Sequence, residues 1–529
     1  MSSWEDAEKE LRHEAEECVR EAFRRYEWRR PRDWKVIQDV LEGSSRFEAW
    51  EIAIIDTPIV QRLRRIGQTG MSSQLYPCAN ATRFEHALGV AVVTKRIINA
   101  LNARSSPAGG QPLFSDEDCY CARAAALLHD VGHGPFSHCS EYFCVDTFPG
   151  LKELVEGDDS PYTHCKAHEI LSAFMVETQP VADLFRWLEQ TFSVRINADK
   201  VARMILQRPP EAEDHLFYVY QVINGPFDAD KLDYIRRDSY ATGLQMTLEV
   251  DRLIHSLSKG SNGKEERPQE VILVGAGGVP AIEQILFSKM LLTTALYHHH
   301  KVRAVEAMLS SAFRYASEAG DAKLGRALRS PVDFLYLDDL TVLSSPHDDS
   351  VEAGLIRDVL ERRLVKRALA ITTEALADPA QRARYFRVVG NMMESYDERR
   401  QLQRRVCAEL EARHVDLGES GRARIIVDFP KPASFSEPSQ TYIQRENGQP
   451  QQLDELFSME NWLEAYRQFF YRGHIFAPDA IRPMVGVVAK RVLKDEYGIE
   501  LSSIAHDLCK YPAATGDWRD AEEKLYGRA

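Results

Sequence analysis

Apolar and polar positions along this chain alternate mostly with helical periodicity. Residues 4–28 place Leu11, Cys18, Ala22, Phe23 and Tyr26 on one broad apolar face, the pattern of an amphipathic helix that packs on a core or on a partner subunit. Thr82 and Glu85 match the S/T-x-x-E box, so a helix is expected to start at Thr82 and run toward Leu101, with His86 in its first turn. Arg123 to Asp130 predicts a second helix of small and apolar residues, stopped by Gly132 and Gly134-Pro135. A third is predicted over Phe227 to Asp238, with Asp228 as N-cap and Gly243 as terminator; its spacing puts Asp230, Tyr234 and Asp238 on one face. The polar stretches Ser256 to Glu270 and Ser344 to Gly354 read as exposed loops, while Ile425 to Phe429 and the proline-bearing segment to Gln452 predict short strands. The expected fold is mainly α, a helical core with a smaller α+β C-terminal region.

Composition narrows the class of protein. A chain of 529 residues is long enough for one large core and a second region, and a formal charge of −14 argues against a broad nucleic-acid surface. The nine cysteines, at 18, 78, 119, 121, 139, 144, 165, 407 and 509, form no C-x-x-C pair and read as reduced thiols of a cytoplasmic protein. With no run of eighteen apolar residues and no basic-then-apolar leader, neither a membrane span nor a signal peptide is expected.

The candidate chemistry lies in an ordered set, His86, then His129-Asp130, then Asp230. Imidazole and carboxylate together suit Fe, Mn, Zn or Ni, and three or four such ligands leave positions open for water and substrate, as a hydrolase needs. A histidine and an aspartate at the end of so apolar a helix are costly to bury without a partner, and a metal is a natural one. His133, His138, Glu141 and His168 add further candidates nearby in sequence, whereas His506-Asp507 reads as a chance pair.

Several strings in one order, Ile55-Asp56-Thr57-Pro58, Gln61-Arg62-Leu63-Arg64, Arg83-Phe84-Glu85-His86-Ala87-Leu88-Gly89, His129 to His138, and Asp228-Ala229-Asp230-Lys231-Leu232-Asp233-Tyr234, resemble the HD-superfamily deoxynucleoside triphosphate triphosphohydrolases. The resemblance is greatest to the vertebrate members that carry a SAM domain and to their bacterial relatives. It covers residues 32–320 firmly and the C-terminal part loosely, so the expected division is an N-terminal helix over 1–31, an HD phosphohydrolase core over 32–320 and a helical and α+β region over 321–529. Since little chain precedes Trp34, a relative without the SAM module is expected.

This resemblance implies hydrolysis of a dNTP to deoxynucleoside and inorganic triphosphate. It assigns His86, His129, Asp130 and Asp230 to a divalent metal, with Mg accompanying the triphosphate. His138 would protonate the 5′ oxygen, oriented by Glu141, with His133 and His168 binding phosphate or assisting. Arg83 and Lys231 would meet the triphosphate, Tyr234 and Asp238 the deoxyribose, and Gln68 and Thr69 the sugar edge. Met290, Thr294 and His298 stand where the vertebrate members have an arginine, a histidine and a tyrosine, so Tyr297, His298 or Lys289 are expected to complete the clamp. Lys35, Val36, Asp56, Gln61 and Arg64 match a guanine-nucleotide activator site; Arg252, Arg362 and Lys366 match an adjoining dNTP site, although Gly275 to Gly278 replace cations there. Activation by GTP or a dNTP, coupled to a homo-oligomer, follows as an expectation. Two rival readings remain open: a nucleotide-sensing module with little turnover, and an HD phosphodiesterase or nuclease. The charge balance and the Tyr234/Asp238 pair speak against the second.

Overall fold

The computed structural model describes residues 4–105, 111–210, 215–264, 268–320, 322–346, 348–445, 449–456, 466, 472–511 and 516–527. Parts of three expected segments, residues 265–267, 347 and 446–448, lie outside these. Two compact units form: Met1–Leu292 with Ser330–Asp339 and Phe435–Met459, and Thr293–Arg329 with Leu340–Ser434 and Glu460–Ala529. The expected boundaries at 31 and 320 do not coincide with this division. The N-terminal helix packs inside the first unit, and the second begins at Thr293.

In the first unit the helix Trp4–Phe23 buries Ala7, Leu11, Ala15, Cys18, Val19 and Phe23. Its Arg12 lies 4.2 Å over the Phe174 ring and 2.5 Å from Glu177, which seats the helix on the almost wholly buried helix Ala167–Val176. Strands β1 (Lys35–Asp39) and β2 (Gly43–Phe47) make an antiparallel hairpin, turned at Gly43 with φ 64. The helices Arg83–Ser105, Asp116–Leu128 and Ala229–Thr242 form the centre of the unit. Gly89 permits the close approach of the first and third, since a Cβ there would stand 2.0 Å from Asp233 Oδ1.

A four-stranded sheet of order β3-β4-β7-β8 completes the first unit: β3 Leu257–Ser261, β4 Glu270–Gly275, β7 Tyr442–Gln444 and β8 Pro450–Gln452. Only β4 and β7 run parallel. Here the expected loop from Ser256 to Glu270 is corrected. Its first five residues past Ser256 are an edge strand of which only Leu257 is buried, so the apolar alternation that marks a strand is missing from the sequence.

The second unit is built on β5 (Lys366–Ile371), β6 (Ile426–Asp428) and β9 (Gly473–Ala477), with the fully buried β9 in the middle and antiparallel to both neighbours. The helices Arg382–Glu394, Tyr396–Glu411 and Arg482–Tyr497 cover it, packing Tyr385, Leu402, Val406, Val485 and Val488 against Leu369, Ile371 and Ile475. The strand expected at Ile425 to Phe429 is β6. Among the described residues one helical stretch, Ala276–Tyr297, is long and apolar enough by length and composition to cross a membrane; half of it is buried, and Glu283 and Lys289 interrupt it.

Candidate metal centre and active site

Local caps fix the first ligands. The Thr82 N–H donates to Glu85 Oε2 at 2.7 Å and the Glu85 N–H approaches Thr82 Oγ1 at 3.4 Å, the reciprocal box that starts the Arg83 helix one turn before His86. The Asp116 helix ends at Leu128, leaving His129 as its C-cap with Asp130 beside it. His129 Nδ1 meets the Ala126 carbonyl at 2.8 Å, and His86 Nδ1 meets Asp233 Oδ2 at 2.7 Å. Each bond holds a proton on Nδ1 and leaves Nε2 as the donor atom for an ion. Asp233 is itself gripped by Arg237 at 2.8 and 2.9 Å, and Arg237 reaches back to Asp39 of β1 at 2.9 Å.

Donor atoms of His86, His129 and Asp130 all lie within 4.8 Å of one another, and all three residues are buried. Asp230 Oδ1 comes 2.9 Å from His86 Nε2 and 3.8 Å from His129 Nε2, so all four expected ligands converge. His129 Nε2 is buried with no hydrogen-bond partner, an arrangement that is costly unless a cation occupies the gap. Burial opposes charge on His86, but its hydrogen bonds to Asp230 and Asp233 and the nearby Asp130 carboxylate outweigh it and lift its pKa to about 10. The same field favours a divalent cation at Nε2. Burial likewise opposes charge on Asp130, yet Arg83, His129 and His133 hold its carboxyl well below the ordinary range. The donor set therefore fits the metal that its residue types suggest.

A second cluster, His133, His138, Glu141 and His168, adjoins the first. His133 Nε2 stands 3.4 Å from Asp130 Oδ1, and the His133 and His168 rings stack at 3.8 Å. Glu141 takes His138 Nδ1 at 2.6 Å on one oxygen, and on the other both the ring (2.8 Å) and the backbone N–H (3.1 Å) of His168. Desolvation lowers the His138 pKa, partly offset by Glu141, while burial, Arg83 and His168 hold His133 neutral. His138 opens the helix His138–Thr147 just after Phe136 and Ser137, both with positive φ (57 and 54), a conformation these residues adopt only under constraint. The constraint is visible. Asp339 accepts from the Phe136 N–H at 2.6 Å and the Gly67 N–H at 2.9 Å, and Ser137 Oγ donates to the Gly67 carbonyl at 2.6 Å. Arg83 ties both clusters together, donating to Ser137 Oγ at 2.9 Å and to Asp130 Oδ2 at 2.8 Å. Gly132 fits because a Cβ there would press within 2.4 Å of the His168 carbonyl.

The remaining expected residues are placed unevenly. Gln68 is buried beside the start of the Arg83 helix, its N–H on the Ala81 carbonyl at 2.8 Å, and Thr69 follows it in a turn whose carbonyl accepts from Ser72. Lys231 Nζ lies on the Gly225 carbonyl (2.8 Å) and Asp228 (2.7 Å) at the cap of its own helix. Tyr234 is half-buried and Asp238 buried on the same helix, while Tyr297 and His298 belong to the second unit. Lys35 lies 3.7 Å from Asp56, and Arg64 donates to Gln61 at 2.8 Å while stacking 3.6 Å over Phe84; Val36 is exposed on β1. Arg252, in the first unit, donates to the Gly277 carbonyl, whereas Arg362 and Lys366 belong to the second. Asp39, Asp233, Arg237 and Asp339 were not singled out from the sequence. For Asp233 and Arg237 the i, i+4 spacing beside Asp230 is a usable signal; nothing near Asp339 in sequence marks it.

Comparison with known proteins finds the HD domain over residues 83–216 and the HD-associated region over residues 248–498. The chain is 28% identical to an uncharacterised protein of Methanocaldococcus jannaschii over 53% of this chain and 49% of that protein. It is 25% identical to the deoxynucleoside triphosphate triphosphohydrolase SAMHD1 homolog of Dictyostelium discoideum, over 63% of this chain and 59% of that one. The chain spans about half the length of the curated relatives it matches. Among solved structures, a phosphohydrolase of Bacteroides thetaiotaomicron has a similar fold, with a TM-score of 0.58 and 20% identity over 84% of this chain and 100% of that one.

Proposed function

Because the chain belongs to the HD-domain family and carries the donor set of a metal-dependent phosphohydrolase, we propose that it hydrolyses deoxynucleoside triphosphates to deoxynucleoside and inorganic triphosphate. The observation that carries this reading is the junction of the two clusters through Arg83 and Asp130, which sets four ligands for an ion against a histidine pair held by one carboxylate. A divalent ion held by His86, His129, Asp130 and Asp230 supplies Lewis acidity toward a phosphate oxygen and a more acidic water at neutral pH.

The chain's own residues do the rest. His138, with Nδ1 held by Glu141, presents Nε2 as the group that hands a proton to the departing 5′ oxygen. His133, kept neutral, and His168 offer ring nitrogens to phosphate oxygens, and Arg83 contributes a fixed guanidinium. Tyr234 under the sugar and Asp238 toward the 3′-hydroxyl favour deoxyribose. Two further parts belong to this reading. Lys35 with Asp56, and Gln61 with Arg64, form a guanine-nucleotide activator site, and activator binding couples to assembly of a homo-oligomer. The direct test is release of inorganic triphosphate from each of the four dNTPs, with and without GTP, across Mg, Mn, Fe and Co. Turnover of dNTPs supports the reading; metal-loaded protein that binds nucleotide without releasing product makes it a sensor instead.

A further inference from the structure

A cleft of about 220 Å³ in the second unit is lined by side chains of three helices, His300–Ala319, Tyr396–Glu411 and Gly418–Ala423. Its wall carries four arginines, Arg314, Arg400, Arg404 and Arg422, against two carboxylates, Glu318 and Glu411. Both carboxylates are already committed. Arg400 Nη1 donates to Glu318 Oε1 at 3.3 Å and Arg422 Nε to Glu411 Oε1 at 2.7 Å, which leaves Arg314 and Arg404 without an ion pair among the described residues. On a chain whose formal charge is −14, two positive charges left over in one concavity are a local excess that an anion offsets.

Arg314 separates this cleft from an ordinary solvated helix face. Its Nε is buried with no hydrogen-bond partner, and its terminal nitrogens reach only Gln403 Oε1 at 3.5 Å and Ser311 Oγ at 3.4 Å, an unfavourable state for a guanidinium. These weak contacts are fixed from behind. Gln403 donates its amide N–H groups to the carbonyls of Arg422 (3.2 Å) and Ile425 (2.7 Å), and Ser311 donates its hydroxyl to the Ala423 carbonyl (3.0 Å), so both turn lone pairs toward Arg314. Cys407, also on the wall, is buried, and burial pushes its thiol pKa up to about 11, so it brings no negative charge. Volume and charge then select the ligand. The cleft falls below the roughly 300 Å³ at which sites begin to enclose a drug-sized molecule, so it admits a head group rather than a whole nucleotide. A phosphoryl dianion matches the two spare charges, and its oxygens accept from guanidinium forks that arrive from three helices, whereas a carboxylate brings a single charge.

We propose that this cleft binds a phosphoryl dianion, either free phosphate or the end of a small phosphomonoester, which draws the three helices together. The proposal does not depend on the dNTP reading, because none of these residues supplies a donor atom to the metal centre. Amide hydrogen exchange of the full chain, purified with its metal, tests it in inorganic phosphate, in glycerol 3-phosphate and in sodium chloride at matched ionic strength. Phosphate or its ester should slow exchange across residues 396–411 and 418–423, and chloride should not. Arg314→Met should abolish this protection. Since that variant removes a half-buried side chain, Arg404→Ala carries the test: Arg404 is exposed and has no partner to lose, and its removal should raise the concentration needed for protection by about tenfold, the scale of one charge-assisted contact. Protection by both probes assigns the site to any phosphoryl end, and protection by one alone identifies which source it accepts. No protection with either, equal protection in chloride, or an unchanged concentration dependence in Arg404→Ala would overturn the proposal.

Discussion

His129 and Asp130 each give a donor to a set with little redundancy, so His129→Ala or Asp130→Ala should abolish bound metal and hydrolysis together. Metal analysis alongside a turnover assay checks this, and stoichiometric metal with normal turnover in either variant would remove the assignment. His138 touches no ligand of the ion but is positioned by Glu141. His138→Ala should therefore lower turnover by roughly two to four orders of magnitude with metal content unchanged. Asp233 acts one step back, by orienting His86; Asp233→Asn should weaken metal affinity by about 10- to 100-fold, read by competition with a chelator. An unaltered affinity would mean that the buried Arg237 contact alone explains Asp233. At this scale the sequence was informative where a residue of the converging donor set sits in a short motif. It was silent on Asp339, whose Phe136 partner lies 203 residues away.

Among the elements, caps were the legible features: the Thr82/Glu85 box, the Asp228 N-cap and Gly243 at φ 72 all form as their spacing predicts, because each is a local hydrogen-bond exchange. The edge strand β3 and the division at Thr293 were not legible. The first has a polar pattern, and the second falls inside a continuous apolar helical stretch that carries no turn signal. The turn at Phe136-Ser137 shows how a distant element can hold a strained one, since its Asp339 acceptor lies 203 residues further along the chain. Burial raises the Asp339 pKa to about 6, against the two N–H groups that favour its charge. A folded pKa above the ordinary value of 3.8 gives stability that is fully present below 3.8 and is lost as pH rises through 6. Asp339→Asn should thus flatten the dependence of unfolding free energy on pH between these values. It should also slow turnover, because an amide cannot accept from both N–H groups. A variant with the parent's pH profile would place the titration elsewhere.

For the whole molecule, the proposed activator site predicts that Asp56→Ala or Arg64→Ala removes stimulation by GTP while sparing basal turnover and bound metal, since neither residue supplies a donor atom to the converging set. Sedimentation across GTP concentrations checks the linked assembly: a ligand shifts an equilibrium only by binding one state better, so mass and activity should rise together. The central claim, that this centre cleaves at the α-phosphorus of a dNTP, is tested most directly by running the reaction in water enriched in heavy oxygen and identifying the products. Attack at the α-phosphorus with loss of the 5′ oxygen predicts labelled inorganic triphosphate and unlabelled deoxynucleoside. Deoxynucleoside monophosphate with pyrophosphate, or no product with any of the metals, would contradict it.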